Sequence, residues 1–504
     1  MIDFLLLPIA LIYLIVIMAL FIYGLNLFYL TFLSFRERAV PAKPRRQDYR
    51  PEVTVQLPIY NELYVAERLI RKTAEIDYPK EKLEIQVLDD STDETVRITR
   101  AVVSELQEEG FNIVHIHRTS REGYKSGALA AGLEIAKGEY IAIFDADFLP
   151  PKNFLNKTLP CFEDPSVGFV QTRWGHTNQD YSLITLLQSL SIDAHFMVEQ
   201  FSRSSKGYWF NFNGSAGIWR RRTINSAGGW SSDTLSEDLD LSYRAYLAGW
   251  KGAYLRDVKS PAELPVSISA FRRQQHRWAR GSLECALRHL PKVWASTISM
   301  KKKFQATIHL LGYTVHLLLV ALVLLHPIML FISLRYESLI SLFGIGIIFN
   351  LAIFAQYTYL LSAQHHLGNR VWRLIPVLIF FASAGTGMMV NTMRAALEIF
   401  VNKKGTFERT PKFGITTSKQ DWTRQRYQLR LDPIIFVEIL LGILSGGTCL
   451  FAIQTGNWII AFYAVLFCTG LLFVAGVTIY QALLVLHQQR KQQQFSNYSV
   501  SGTG

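Results

Sequence analysis

The chain has 504 residues, 50% of them hydrophobic, and a formal net charge of +12. Its basic residues crowd the ends of uncharged apolar runs, the positive-inside pattern of membrane proteins, which argues against nucleic acid as a partner. Cys161, Cys285, Cys449 and Cys468 lack paired spacing, so neither a disulfide framework nor a zinc site follows from them.

Residues 4–35 carry no charged side chain and outlast the roughly 20 residues that cross a bilayer core. They predict a first transmembrane helix (1–35). A cleaved leader is not expected, because the run is too long and lacks a basic n-region and a small-residue cleavage site. A basic linker over 36–50 follows, with Arg36, Arg38, Lys43, Arg45 and Arg46. Lys301, Lys302 and Lys303 precede the next apolar run, so the region between these two basic clusters is expected on the cytosolic side.

Within that region Val53–Leu57 alternates as a strand does and stops at Pro58-Ile59-Tyr60-Asn61-Glu62, before an amphipathic helix over 63–76. Leu83–Leu88 reads as a second strand ending in Asp89-Asp90, with a charged helix over 94–109 after it. Phe111–His117 is a third strand, Arg121–Ser126 a polar loop and 127–136 an Ala-rich helix. Tyr140–Phe144 is a fourth strand, ending in Asp145-Ala146-Asp147. Strands alternating with helices predict an open, mostly parallel sheet, in which ligands sit beyond the carboxyl ends of the strands. Residues 153–201 read as mostly helical, with a short strand at Val167–Val170. Phe212–Gly217 is a small-residue loop that lets backbone approach a ligand at Asn213 and Gly214, and Ser236 is placed to cap a helix beginning Glu237-Asp238.

The second half of the chain is membrane-like. Uncharged runs at 304–334, 338–369 and 457–489, with Ile434–Ile453 holding only Glu438, predict four more spans. Residues 375–393 are apolar too, yet a crossing there would put the basic segment 402–430 outside, so 374–402 is expected to lie along the membrane or re-enter it. The expected plan is a sheet domain over 51–270 and interfacial helices over 271–303. Spans follow at 304–364, a cytosolic loop at 403–431, spans again at 433–487 and a cytosolic tail at 488–504.

Asp145 and Asp147 cannot both ionise cheaply without a cation, and Mg²⁺ or Mn²⁺ suits hard oxygen ligands that share a site with phosphates. No phosphate-binding G-x-x-x-x-G-K-[ST] loop is present, which argues against an ATPase. A third acid, Asp238 with Glu237 beside it, is what a sugar transferase needs as general base, since the attacking hydroxyl must lose its proton. Arg277 is suited to clamp a pyrophosphate and Trp278 to stack on a sugar face.

With Tyr60, Glu62, Asp89-Asp90, Asp145-x-Asp147, Ser236-Glu237-Asp238 and Gln274-x-x-Arg277-Trp278 in this order, the chain resembles family 2 inverting glycosyltransferases. It is most similar to their cellulose-synthase-like branch and the plant mannan and glucan backbone synthases. The resemblance covers about residues 50–300 and reaches more weakly to Phe407-x-x-Thr410-x-Lys412, similar to a gating-loop motif. It implies a GT-A (Rossmann-like) α/β domain inserted in a multispanning helical protein of the cell membrane. Asp89 or Asp90 would meet the nucleoside, with Lys125 nearby, and Asp145 and Asp147 the diphosphate and metal. Asp238 would be the base, with Gln274, Arg277 and Trp278 bordering acceptor and pyrophosphate. Ser236, Arg409 and Pro411 depart from the usual pattern. No cyclic-dinucleotide-binding domain is expected after Leu486.

The expected activity is processive transfer of hexose from UDP-glucose or GDP-mannose to a growing β-linked glucan or (gluco)mannan at the membrane lipid surface. Oligomeric and accessory partners are left open. Single transfer to a ceramide or diacylglycerol acceptor is the alternative. A transporter with a soluble regulatory domain is a more distant one, for which His309 and His316, seven residues apart, are read as a polar packing seam.

Overall fold

A computed structural model describes residues 2–37, 49–336, 352–401, 405, 407–417, 419–428 and 431–501. Most of the basic linker, residues 337–351 of the expected third span, and Lys403, Lys404 and Arg430 lie outside the described residues.

Seven strands form one sheet in the order β3-β2-β1-β4-β6-β5-β7. They are β1 (Val53–Ile59), β2 (Leu83–Asp89), β3 (Ile113–His117), β4 (Tyr140–Ile143), β5 (Val167–His176), β6 (Gly217–Arg220) and β7 (Lys251–Ala262). The pairs β1–β2, β1–β4, β2–β3 and β5–β7 are parallel, while β6 runs against both β4 and β5. The sheet is GT-A-like: mostly parallel, as expected, with one reversed strand. Val55, Leu57, Val87, Tyr140 and Ala142 are fully buried in its core, as unbroken apolar strands covered on both faces must be.

The pairing register explains the site. Ile59 lies opposite Asp89, and Gln56 opposite Ile143, so β1, β2 and β4 end at one edge. Gly217 pairs with Ile143 and with Gln171. Because β6 is reversed, its start reaches that same edge and brings the 212–216 loop beside Asp145. Ala262 pairs with His176, so β5 and β7 end there as well.

Two expectations need correction. The 153–201 stretch holds the ten-residue strand β5, not a four-residue one, and it ends in a π-helical turn at His195–Gln200. β5 stays a strand through Gln171 and Thr172 because these polar side chains, wholly buried, hydrogen-bond the 215–216 backbone. The run 304–334 is also divided. Met300–Leu310 is a separate helix, and a new one begins at Thr314.

Among the described residues, four helices are long and apolar enough to cross a membrane: Leu7–Arg36, Thr314–Arg335, Ile435–Gln454 and Trp458–Lys491. Ala352–His366 is helical and ends beside the first of these, where His366 Nε2 meets Ser34 Oγ at 3.0 Å. Residues 371–400 form a pair of helices bent by 42°.

One long helix, Ile268–Ala295, joins the two halves. Ser267 caps it by accepting from Ala270 N. Several of its arginines are paired within the protein. Arg272 is buried and paired with Glu438 and Thr478 of the membrane helices. Arg280 is buried between Glu284 and Glu398, and Arg273 pairs with Glu408.

Candidate active site

A cavity of about 160 Å³ opens at the shared strand edge. Its lining includes nearly every residue singled out from the sequence. Tyr60 and Glu62 follow β1, Asp90 follows β2, and Asp145 and Asp147 follow β4. Lys125, Asn213, Gly214, Glu237, Asp238, Gln274, Arg277, Trp278, Phe407, Thr410 and Lys412 complete it.

Asp89 is the exception. It is fully buried and accepts from Ser91 N, Thr99 Oγ1 and His115 Nε2. Burial alone would raise its pKa, but these hydrogen bonds outweigh it and hold the carboxyl below its usual range. Asp89 therefore braces β2 and β3 from outside the cavity. Asp90 faces in, held by both Nε and Nη2 of Arg118 at 2.7 and 2.6 Å.

The acids are neutralised by lysines. Lys125 Nζ lies 2.7 Å from Asp145 and 3.4 Å from Glu237, and donates to the Gly214 carbonyl at 2.7 Å. Lys412 Nζ lies 2.7 Å from Asp147 and donates to the Glu263 carbonyl. Arg409 lies 2.7 Å from Glu62. Burial would strip the Lys125 proton, yet Asp145 and Glu237 reverse this and raise its pKa. Burial raises the Asp145 carboxyl against the pull of Lys125. It takes Glu62 to about 8, with Arg409 opposing.

Glu237 and Asp238 open the Glu237–Leu247 helix. Ser236 holds the N-cap position without a side-chain capping bond. Gly281 of the long helix packs so closely that a Cβ there would fall 2.1 Å from Ser236 Oγ. The Asp238 pKa is pushed up to about 7, first by burial and then by Glu237, with Lys125 opposing. Gly214 faces it with φ +79°, and a Cβ at 214 would come 2.8 Å from Asp238 Oδ2.

Aromatic rings close the remaining sides. The Arg121 guanidinium sits 3.4 Å from the Tyr60 ring centroid. Phe407 stacks on Tyr124 at 5.7 Å, and Arg277 lies over Phe407 at 4.7 Å. Arg277 Nε is buried without a hydrogen-bond partner. Trp278 stands 6.4 Å from Trp174.

Sequence reasoning missed Arg118, Arg121 and Glu263. The arginines follow β3 at the same strand edge, so the rule that flagged Asp90 applies to them. Glu263 follows β7, an edge strand too polar to be read. Its carboxylate accepts from Phe413 N and Gly414 N and fixes the 407–414 loop over the cavity.

Among the described residues no three His, Cys, Asp or Glu side chains converge as a ready-made metal centre. Asp145 and Asp147 are nonetheless two hard donors facing one cavity, each compensated by a lysine, and this donor set fits a divalent cation shared with phosphate oxygens.

A GT-A sheet with carboxylates at its strand ends, an acid pair at a helix start and an arginine-tryptophan pair opposite defines a glycosyltransferase domain. Residues 51–281 match the model described as glycosyltransferase like family 2. Probable glucomannan 4-beta-mannosyltransferase 7 of Oryza sativa subsp. japonica is 45% identical over 260 residues, covering 50% of this chain and 44% of that protein. Glucomannan 4-beta-mannosyltransferase 1 of the same organism is 44% identical over 236 residues, covering 46% and 45%. The match thus takes in less than half the length of these curated relatives. The mannosyltransferase PcManGT of Pyrobaculum calidifontis, solved with GDP-Man and Mn²⁺, shares the fold with a TM-score of 0.51 at 21% identity, over 79% of this chain and all of that one. Residues 51–281 are thus similar in sequence to family 2 glycosyltransferases and share a GT-A-like fold with a solved mannosyltransferase.

Proposed function

We propose that the protein is a multi-pass membrane enzyme that polymerises a β-linked mannan or glucomannan from a nucleotide-activated hexose, GDP-mannose before UDP-glucose, and passes the product across the bilayer. The observation that carries this reading is a second cavity of about 700 Å³ among the membrane helices. Trp174, Ile192, Asn213, Ser236, Asp238 and Trp278 line both cavities, so the proposed base stands where the two meet. The mannosyltransferase names of the rice relatives favour mannose as the donor sugar.

In this reading the acceptor's terminal sugar reaches Asp238 from the membrane side. Asp238 takes the proton of the attacking hydroxyl as its oxygen bonds to the anomeric carbon, and the bond from that carbon to phosphate oxygen breaks on the opposite face, inverting the centre. A pKa near 7 suits the task, because the carboxylate is then a competent base at neutral pH. Lys125 and Arg277 balance the charge of the departing nucleoside diphosphate. Asp145 and Asp147 would hold Mg²⁺ or Mn²⁺, which supplies further positive charge at the diphosphate. Ligand clefts usually run to about 300–1,000 Å³, so 160 Å³ is too little for a sugar nucleotide, and the 407–412 loop must withdraw to admit it.

Five spans with a re-entrant 374–402 segment fit the same picture. Leu374 and Leu378 at the segment's start pack in a cluster with Leu190 and Ala194 of the catalytic domain, and Glu398 near its end pairs with Arg280 and His276 of the joining helix. Both ends therefore face the catalytic domain, which the flanking basic residues assign to the cytosol. The test is to supply purified full-length protein with labelled GDP-mannose or UDP-glucose and Mn²⁺, then size the products. Long β-linked chains from GDP-mannose are expected, and products limited to single added sugars would sink the polymer reading.

A further inference from the structure

The catalytic cavity holds a polar group that the transfer chemistry above does not use. His176 ends β5 and lines that cavity. Its Nε2 lies 2.9 Å from Asp193 Oδ1. Asp193, buried in the Leu183–Ala194 helix, accepts a second hydrogen bond on Oδ2 from Gln364 Nε2 at 3.1 Å. Gln364 is buried in the Ala352–His366 helix of the membrane half, and its Oε1 accepts from Asn369 at 2.7 Å. A line of hydrogen bonds thus runs from the catalytic cavity into the membrane half.

An ionised carboxylate only accepts, so the ring proton of His176 sits on Nε2 and Nδ1 keeps a lone pair. Nδ1 makes no hydrogen bond among the described residues, and it is not one of the polar atoms sealed inside the protein. His289 shows the contrasting case. It pairs with Asp240 in the same way, at 2.8 Å, but its Nδ1 is shut in the core, and the pair joins two helices. A lone pair open to a cavity calls for a hydrogen-bond donor and repels phosphate oxygens, which rules out the diphosphate. Tyr60 and Asp90, on the nucleoside side, follow β1 and β2. Trp174 and Ile192, close in the chain to His176 and Asp193, line both cavities, as Asp238 and Trp278 do. The donors expected at that junction are sugar hydroxyls.

We infer that His176 is a substrate-contacting residue whose Nδ1 accepts a hydrogen bond from a hexose hydroxyl at the transfer point. Asp193 and Gln364 are positioning residues, fixing the ring from the membrane half. The hydroxyl belongs to the donor sugar or to the acceptor's terminal sugar, and the assay below separates the two. The inference rests on the reading of the first cavity as a hexose-transfer site, and not on a polymeric product.

The test measures nucleoside diphosphate release by full-length protein in lipid nanodiscs with Mn²⁺. GDP-mannose or UDP-glucose is varied first, then a β-linked manno-oligosaccharide at saturating donor. Two substitutions divide the roles of the ring. His176→Gln reaches Asp193 with an amide N–H, as Nε2 does, but leaves nothing at Nδ1. His176→Asn places an amide oxygen near the Nδ1 position and gives up Asp193. His176→Gln is expected to raise one KM about tenfold, the scale of one lost hydrogen bond, with kcat changed far less, while His176→Asn stays within about threefold of wild type. A rise in the KM for donor assigns the hydroxyl to the donor sugar, and a rise in the KM for oligosaccharide assigns it to the acceptor. Gln364→Leu is expected to raise the same KM by a smaller factor, and no change there would overturn the link to the membrane half. Wild-type KM values from His176→Gln would overturn the inference and leave the transfer reading intact. So would the reverse order, with His176→Asn impaired and His176→Gln not, because that marks a pair that only packs. Wild-type protein that releases no nucleoside diphosphate from either donor would sink the transfer reading itself, and the inference with it.

Discussion

At the smallest scale the proposed mechanism turns on Asp238 and the Gly214 backbone beside it. A base whose pKa lies near 7 is active only as the carboxylate, so kcat/KM is expected to rise with pH and level off above about 7. Asp238→Asn keeps the shape but removes the proposed base. It is expected to lower kcat by about 10²–10⁴-fold and abolish that acid limb, measured as nucleoside diphosphate release across pH. Retained activity with an unchanged pH profile would move the base elsewhere. Gly214→Ala tests the neighbouring backbone. A side chain at φ +79° costs roughly 1–2 kcal/mol, and here its Cβ also intrudes on the Asp238 carboxylate. We expect kcat to fall at least tenfold with only a modest loss of thermal stability. A fully active variant would show that the 212–216 loop moves aside during turnover.

Among elements, the 407–414 loop and the Ile268–Ala295 helix carry the strongest couplings. The loop is pinned by Glu263, whose carboxylate takes two consecutive loop amides. Glu263→Ala should free it, raising the rate of limited proteolysis between residues 405 and 417 and the KM for donor together. A proteolysis rate equal to that of wild type would mean that Lys412 and Arg409 suffice to hold the loop. The helix is pinned by the buried Arg272–Glu438 pair. Removing one member strands a buried charge, at about 3–5 kcal/mol, whereas replacing both with apolar residues costs much less. Glu438→Ala is therefore expected to lower the melting temperature more than Arg272→Met with Glu438→Leu, and equal losses would refute the pairing argument. The sequence disclosed these elements unequally. β1 to β4 were legible because alternating or wholly apolar runs end in turn residues. β5 and β7 were obscured because Gln171, Thr172, Arg173 and Lys259 look like loop. Only pairing across the sheet makes strands of them, and such long-range partners leave no local periodicity. Asp89 and Asp90 could not be separated for a similar reason, since a one-residue step along a strand end decides which carboxylate faces inward and which is braced by His115. The pairing of Arg272 was not legible, because its partner lies 166 residues away.

At the scale of the whole molecule the decisive question is which face of the membrane each basic segment occupies. The 407–428 loop touches the catalytic domain at several independent points. Arg409 meets Glu62, Lys412 meets Asp147, and Arg426 meets Glu94. Tyr427 donates to Asp93, and Ile415 is fully buried in a cluster with Val266 and Trp422. A loop so docked shares the domain's compartment, and an even number of crossings must separate it from the joining helix. Charge bias leads to the same placement independently. A cysteine at Ile415 would be shielded from any reagent, so Thr416, which is exposed, is the position to label. On a background with the native cysteines replaced, Thr416→Cys is expected to resist a membrane-impermeant maleimide applied to intact cells or sealed vesicles with the cytosolic face inside. It should react fully once the membrane is opened. Labelling before permeabilisation would add a crossing at 374–402 and put the loop on the far side from the donor, which no docking of Lys412 against Asp147 could survive.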